Sequence, residues 1–347
     1  MGQEVTRRNI IKGLGTTPLL AAAAAQSAAA QTEAPPPAKP TFSLWSRTLQ
    51  WTPDMDEACA VAVEAGYKSI AWTVRPGAHI LAANVARDLP KAVEASRKAG
   101  LATPMIVTQI VDDKTPLAEA ILDAMRGVGI RYFRCNTLGS YDYTKDLEPQ
   151  LAIARQRVAS LAKLNEKYGT TAMYNNESSA RLIGGGVWDL WMAVKDFDPA
   201  HVGIGYNIAH ATMRGGPEWW ETIRFARKHI TGVSLCDFRW VKKTDPEMGD
   251  RRTDADASWP WAAEWVKPGE GMVNFKAAFE SLKLIGFSGP IHVFQEYRVD
   301  VPGRDARVNL LGNAIGTPLQ MPREMFIGYL RRDQEFYSKL MAGAELL

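Results

Sequence analysis

The sequence predicts an α/β fold in which eight strand–helix units close into a (β/α)8 barrel over residues 41–347. Two observations predict it. Short apolar runs, typical of strands buried on both faces, alternate eight times with amphipathic helical stretches. No G-x-G-x-x-G motif follows the first apolar run, which argues against an open dinucleotide-binding sheet. Eight such units in succession are typical of a closed barrel.

Each predicted unit pairs a short apolar strand with the helix that follows it. Several of the helices end at a glycine, such as Gly66, Gly100 and Gly169, because glycine readily adopts the left-handed conformation that stops a helix. In chain order the predicted pairs are Phe42–Arg47 with Asp56–Ala65, Ser69–Val74 with Leu89–Lys98, Ala102–Ile110 with Leu117–Arg126, Arg131–Asn136 with Pro149–Tyr168, Thr171–Asn176 with Val187–Lys195, Val202–Asn207 with Pro217–His229, Gly232–Phe238 with Val273–Ile285, and Pro290–Tyr297 with Arg323–Met341.

The connection after the seventh predicted strand is much the longest, from Arg239 to Met272. Connections of this length are uncommon unless they serve as lids or binding walls. Its charged half is typical of a solvated surface. Its three tryptophans, Trp259, Trp261 and Trp265, are expected either to stack on a sugar ring or to pack the connection onto the barrel rim.

The N-terminal residues have the layout of an export signal. Arg7 and Arg8 are followed by apolar residues and a lysine, then by a weakly apolar stretch over 13–25 and small residues at 27–30. This order predicts a twin-arginine signal peptide over 1–30, with the twin-arginine export machinery as a partner and a periplasmic destination. Residues 31–40 are proline-rich and predict a stiff linker. No later run approaches the ~20 apolar residues that a membrane span requires.

Composition excludes two further classes. The formal net charge of +3 gives no electrostatic basis for nucleic-acid binding. The chain has three cysteines, Cys59, Cys135 and Cys236, which are widely spaced and do not form a disulfide framework.

Polar residues follow the fifth and sixth predicted strands, in Tyr174–Glu177 and Tyr206–His210. The carboxyl ends of barrel strands meet at one face, where such folds carry their chemistry. Amides, guanidiniums and an indole at these ends suit a polyhydroxylated ligand, whose hydroxyls need donors and acceptors. The predicted substrate-binding residues are Arg47, Trp72, Gln109, Arg134, Asn136, Asn175, Asn207, Cys236 and Arg239.

Three residues at the strand ends are candidates for acid–base catalysis. His210 can transfer protons near neutral pH, and Glu296 and Glu177 can act as bases when partly desolvated. The structural alternatives are a helix cap for His210 and a rim position for Glu177.

The chain resembles the sugar phosphate isomerase/epimerase superfamily, the xylose isomerase-like barrels. The segments that carry the resemblance are Tyr174–Ser178, Val202–Ala211, Cys236–Trp240, Gly269–Phe275 and Gln295–Tyr297. The resemblance implies the same barrel, with a central divalent metal. It also implies that the four metal-ligand positions fall on Asn175, Asn207, Ser234 and Glu296, of which only the last keeps its carboxylate. A divalent metal is therefore possible, but the ligand types favour a metal-free site.

Two functions from different classes follow. The first is an exported sugar isomerase or epimerase, or a lyase on a keto-sugar, that abstracts a proton beside a carbonyl, with amides and an arginine stabilising the enolate. The second is a non-catalytic periplasmic sugar-binding or accessory protein with a degenerate metal site. An endonuclease-like relative is disfavoured by the near-neutral charge and the replaced ligands.

Overall fold

The computed structural model of the chain describes residues 39–243, 260–312 and 314–347. The predicted signal peptide, most of the predicted linker and the middle of the long connection, including Trp259, lie outside these residues. In the described part, no helix is both long and apolar enough to cross a membrane.

The centre of the fold is a closed barrel of eight parallel strands, which confirms the predicted architecture. The barrel strands follow one another around the barrel in chain order, and the last pairs with the first. They are β1 (Phe42–Trp45), β2 (Ile70–Thr73), β3 (Met105–Val107), β4 (Tyr132–Arg134), β5 (Thr171–Asn175), β6 (Val202–Asn207), β7 (Ile230–Leu235) and, after two further strands, β10 (Ile291–Val293).

Helices follow the barrel strands and pack outside them. Their ends obey local rules: the Asp54 carboxylate caps the first helix by accepting from the backbone N–H of Asp56 at 2.8 Å, and Gly169 ends the fourth at φ +68°. The helices are α1 (Met55–Glu64), α2 (Val85–Lys98), α3 (Ala118–Gly127), α4 (Leu147–Tyr168), α5 (Val187–Val194), α6 (Ile208–Gly215), α7 (Trp219–Phe225), α8 (Phe275–Leu284) and α9 (Arg323–Gly343), with short 3-10 turns at Ser46–Leu49, Ala82–Asn84, Gly216–Glu218 and Arg227–His229.

The region after β6 differs from the sequence prediction. A helix was expected over Pro217–His229, but α6 already begins at Ile208, directly at the end of the strand. Gly216 has φ +54° and precedes Pro217, so the chain turns there before α7 begins. This early helix is what places His210 at the barrel mouth.

The long seventh connection is also partly regular, where a loop was expected. Strands β8 (Asp237–Lys242) and β9 (Trp261–Val266) form an antiparallel hairpin, with Asp237 opposite Val266 and Lys242 opposite Trp261. A smaller hairpin joins β11 (Arg298–Val299) to β12 (Val308–Asn309). Both follow barrel strands at the C-terminal face, so they form part of its wall.

Candidate active site

A chain of hydrogen bonds crosses the mouth of the barrel at the ends of β4, β5 and β7. The Asn175 amide oxygen accepts a hydrogen bond from Ser234 Oγ at 2.9 Å. With the amide oriented to satisfy its neighbours, its nitrogen donates to the Gly205 carbonyl at 3.1 Å and its oxygen accepts from Arg134 Nε at 3.2 Å. Ser234 Oγ in turn lies 3.4 Å from His292 Nε2. Asn175 is therefore held by both neighbours and by a guanidinium.

Gly205 provides the space that this arrangement requires. It lies beside Asn175 in the pairing of β5 and β6, and a Cβ on Gly205 would meet the terminal amide atom of Asn175 that faces it at 2.1 Å. A larger residue at this position would displace the amide from the barrel interior.

Asn176 and Asn207 clamp the ends of β5 and β6 together. Asn176 Oδ1 accepts from the Asn207 backbone N–H at 2.7 Å, and Asn176 Nδ2 donates to the Asn207 carbonyl at 3.0 Å. Asn207 Oδ1 then caps α6 by accepting from the His210 backbone N–H at 3.1 Å. The clamp fixes where α6 starts and thereby fixes the position of the His210 side chain.

The hydrogen bonds of His210 define its tautomer. Nδ1 lies 2.9 Å from the Asn176 carbonyl oxygen, and since a carbonyl only accepts, Nδ1 carries the proton of this bond. Glu177 Oε2 lies 3.4 Å from the same nitrogen. Nε2 is buried and has no hydrogen-bond partner in the described part of the chain. In a neutral ring that nitrogen carries a free lone pair. The ring centroid lies 5.4 Å from that of Trp265, so the β8–β9 hairpin packs beside His210.

Glu177 joins His210 to Arg134. Its Oε1 accepts from Arg134 Nη2 at 2.7 Å, and the two side chains are only 18% and 14% exposed. The Glu177 carboxylate is held by the Arg134 guanidinium on one side and faces the His210 imidazole on the other. This geometry suits a residue that orients the His210 ring and stabilises its positive charge, and it does not suit a mobile base.

Glu296 differs from Glu177 in having no arginine or histidine partner within the described part of the chain. It follows β10 and is half-buried, and no hydrogen bond or ion pair joins its side chain to another residue within 39–243, 260–312 and 314–347. It lies close to Cys236: burial chiefly, and then the charge of Glu296, raise the pKa of the Cys236 thiol well above its ordinary value. Cys236 Sγ also lies 3.6 Å from the Asn207 amide. Asn207 and Cys236 thus connect His210 to Glu296.

Cys236 is a neutral contact residue. A thiol whose pKa is raised by burial and by neighbouring carboxylates stays protonated at neutral pH and is a poor nucleophile. The thiol is therefore a polar contact of the Asn207 amide and not a reactive group, and its substrate contact stays a prediction.

Asp237 anchors the base of the long connection. Its carboxylate accepts from the backbone N–H groups of Phe238 at 2.9 Å, Gly269 at 2.9 Å, Gly271 at 3.0 Å and Val273 at 3.2 Å. A Cβ on Gly271 would meet Asp237 Oδ1 at 2.1 Å, so this glycine allows the close approach. The glycine-rich segment Gly269–Phe275 therefore serves to hold the Asp237 carboxylate against its backbone N–H groups.

Two predicted substrate-binding residues do not point into the mouth. Trp72 is fully buried, and its Nε1 donates to Ser96 Oγ on α2 at 2.9 Å, which places the indole between the barrel and its helix layer. Arg239 is exposed and pairs with Glu264 across the β8–β9 hairpin at 2.7 Å. Their roles are packing and hairpin pairing, so both predictions are corrected.

Gln109 and Asn136 are exposed residues of the loops after β3 and β4. Asn136 Oδ1 accepts from the backbone N–H of Thr137 at 2.9 Å and so supports its own turn. They belong to the rim, while Arg47, Arg134, Asn175 and Asn207 lie at the mouth itself.

The Trp45 and Phe294 rings form an aromatic floor beneath the mouth, and neither residue is among the predicted substrate-binding residues. The Trp45 ring lies 4.6 Å from that of Phe294, and its Nε1 donates to Thr73 Oγ1 at 2.9 Å. Arg134 Cζ lies 4.9 Å from the Phe294 ring centroid and 5.7 Å from that of Trp45. Strand β4 is not a neighbour of β1, so this contact crosses the barrel interior. A tryptophan ending an apolar run was the available signal.

The residues at the implied metal positions do not fit a divalent ion. Asn175, Asn207 and Ser234 are neutral and already hydrogen-bonded to neighbours, and the Arg134 guanidinium adjoins Asn175. A hard cation requires several carboxylate oxygens, and a transition metal requires imidazole, thiolate or carboxylate ligands. Over the described residues, no group of three or more His, Cys, Asp or Glu side chains is arranged to hold a metal.

The fold and the site together define an α/β barrel protein with polar, acid–base-capable residues at the C-terminal ends of its strands. A sequence model of the xylose isomerase-like TIM barrel family matches residues 59–309, and the chain belongs to this family. A comparison with curated proteins finds no significant match.

Solved structures share the fold at low sequence identity. The 3-keto-D-glucoside 4-epimerase YcjR of E. coli is 13% identical, with a TM-score of 0.59 over 86% of this chain and 100% of that one. The D-psicose 3-epimerase of Clostridium cellulolyticum H10, with D-tagatose, is 13% identical, with a TM-score of 0.59 over 87% and 99%. The probable 3-DHS dehydratase AsbF of Bacillus anthracis is 10% identical, with a TM-score of 0.58 over 86% and 98%.

Proposed function

We propose that this protein is a sugar isomerase or epimerase that abstracts a proton from the carbon next to a carbonyl. The observation that carries the proposal is the pairing of two acid–base groups at one barrel mouth, the Glu296 carboxylate and the His210 Nε2, neither with a hydrogen-bond partner in the described residues. Their connection through Asn207 and Cys236 supports a shared site. The sugar epimerases that share the fold support a carbohydrate substrate.

In the proposed mechanism Glu296 is the base. It takes the proton of the C–H bond, and that electron pair forms the enolate C=C while the carbonyl π electrons move to the oxygen. Arg134, which lies against Asn175, supplies the positive charge and donors that stabilise the enolate oxygen. In this scheme the Arg134 guanidinium supplies the positive charge that the resemblance assigns to a central divalent metal.

His210, in its charged imidazolium form, donates the proton on Nε2 to the enolate. After turnover Glu296 releases to solvent the proton that it took, and His210 takes one up from solvent. Protonation of the same carbon on the opposite face gives epimerisation. Isomerisation requires protonation of the former carbonyl carbon, with the enolate oxygen taking up a proton and the hydroxyl on the first carbon losing its proton as that oxygen becomes the new carbonyl. Glu177 stabilises the charged imidazole through Nδ1 while Arg134 holds Glu177 in place. Glu177 is therefore a positioning residue in this scheme and not the catalytic base that the sequence predicts.

Deuterium exchange tests the proposal directly. A keto-sugar panel incubated with the mature protein in D2O should gain deuterium at the carbon beside the carbonyl, detected by mass spectrometry. Glu296→Gln should slow exchange by about 10²–10⁴-fold and leave sugar affinity unchanged. Glu280→Gln, on an exposed face of α8, is the matched control. Full exchange activity in Glu296→Gln would remove this residue from the mechanism.

The same experiment addresses the alternative of a non-catalytic sugar-binding protein, which the replaced metal-ligand positions favour. If the protein only binds sugars, the wild type should bind them without deuterium exchange. Glu296→Gln should then either change the sugar affinity or have no effect. We also propose export by the twin-arginine route to the periplasm. The order of basic, apolar and small residues over 1–30 supports this destination.

A further inference from the structure

Three arginines surround one aromatic ring at the barrel mouth. The Cζ atoms of Arg47, Arg75 and Arg134 lie 5.3, 5.7 and 5.7 Å from the Trp45 ring centroid. They follow or end strands β1, β2 and β4, so all three belong to the C-terminal face. Such contacts favour each cation singly, but they do not offset the mutual repulsion of like charges.

Arg75 differs from Arg134 in having no acidic partner among the residues that the structure describes. Arg134 is paired with Glu177, whereas no carboxylate in residues 39–243, 260–312 or 314–347 forms an ion pair with Arg75. Burial chiefly, and then the charges of Arg47 and Arg134, lower the pKa of the Arg75 guanidinium to about 10. The protein therefore holds a partly desolvated positive charge beside two others, an arrangement that an incoming anion would relieve.

We propose that the substrate is an acidic sugar whose carboxylate binds to Arg75, with Arg47 beside it, in the arginine cluster around the buried Trp45 ring. This proposal rests on the proposed function and narrows it to uronates and related keto-acids. The guanidinium fork matches a carboxylate geometrically, and burial strengthens the charge-assisted hydrogen bonds.

The mouth is accordingly divided into two halves. Arg47 and Arg75, which follow β1 and β2, bind the carboxylate end of the sugar. Glu296 and His210, after β10 and β6, face the reacting carbon. Arg134 lies between the halves, since it contacts both Trp45 and Glu177. A neutral sugar would leave Arg75 desolvated without a partner, so the site selects against it.

Matched sugar pairs test the carboxylate site without requiring turnover. D-glucuronate is compared with D-glucose, and D-galacturonate with D-galactose, by isothermal titration calorimetry on the mature protein. Each acid is expected to bind at least about tenfold more tightly than its neutral partner. Arg75→Gln should abolish that preference while changing neutral-sugar affinity less than about twofold. Arg75→Lys should retain part of it, because the charge remains.

Arg97→Gln is the control, since it removes the same charge from an exposed ion pair with Glu94 on α2. Equal affinity for acid and neutral sugars, absence of binding by either acid, or an equal loss of both in Arg75→Gln would overturn the carboxylate site. The outcomes also separate the two proposals. Uronate selectivity without deuterium exchange contradicts the isomerase proposal alone, and exchange confined to neutral keto-sugars contradicts the carboxylate site alone.

Discussion

Asp333 makes the stability of this barrel depend on pH in a direction opposite to most acids. It lies on α9 with its side chain fully buried. One carboxylate oxygen accepts from the Tyr297 hydroxyl at 2.7 Å, and the other lies 3.3 Å from Arg332 Nη1. Burial outweighs these contacts and raises the pKa of Asp333 to about 7. An aspartate in an unfolded chain has a pKa of about 3.9.

The sign follows from proton binding. Between pH ~4 and ~7 the native state binds more protons at this group than the unfolded state, so the free energy of unfolding falls as pH rises through that window. A difference of about three pKa units at 1.36 kcal/mol each gives a loss of about 4 kcal/mol above pH 7, as an upper value. Asp333→Asn keeps an acceptor for Tyr297 without the charge. We expect Asp333→Asn to leave the free energy of unfolding unchanged at pH 4 and to raise it by an amount approaching that value at pH 8.

Thermal unfolding followed by circular dichroism at one-unit steps from pH 4 to pH 8 measures the effect. Asp333→Asn should raise Tm at pH 8 by several degrees and show a flatter pH profile than wild type. Asp300→Asn is the control, because the Asp300 side chain is 93% exposed and should follow wild type. Parallel wild-type and Asp333→Asn profiles across this range would refute the assignment of the pH dependence to Asp333.

Two further predictions concern the connection anchor and export. Gly271→Ala places a methyl against Asp237 and should lower the free energy of unfolding by about 1–3 kcal/mol, measured by urea denaturation. Gly328→Ala, where nothing lies within 4 Å, should not destabilise, and equal effects of both changes would contradict the anchor. Replacing Arg7 and Arg8 together by lysine keeps the charge and should retain the chain in the cytoplasmic fraction of a bacterial host. Undiminished recovery of that variant from the periplasmic fraction would contradict twin-arginine export.

The sequence by itself determined the barrel and the face that carries its polar residues. Short runs such as Val202–Asn207 form buried strands because apolar side chains point to both faces of the sheet. Gly169 ends a helix because glycine adopts positive φ at little cost. Both properties are local. The polar ends at Asn175 and Asn207 followed from the same pattern, since strand ends converge in any barrel.

Tertiary structure decided which of these side chains meet. Trp45 and Trp72 lie in similar apolar strands, yet one faces the lumen and the other faces α2, because a strand buried on both faces carries no polarity signal that separates them. The sequence predicts Arg239 as a substrate-binding residue, but the β8–β9 hairpin pairs its side chain with Glu264. The proton position on His210 depends on the carbonyl of Asn176, which only the packing of β5 against α6 brings within 2.9 Å. Such contacts join residues far apart in sequence, and no local pattern encodes them.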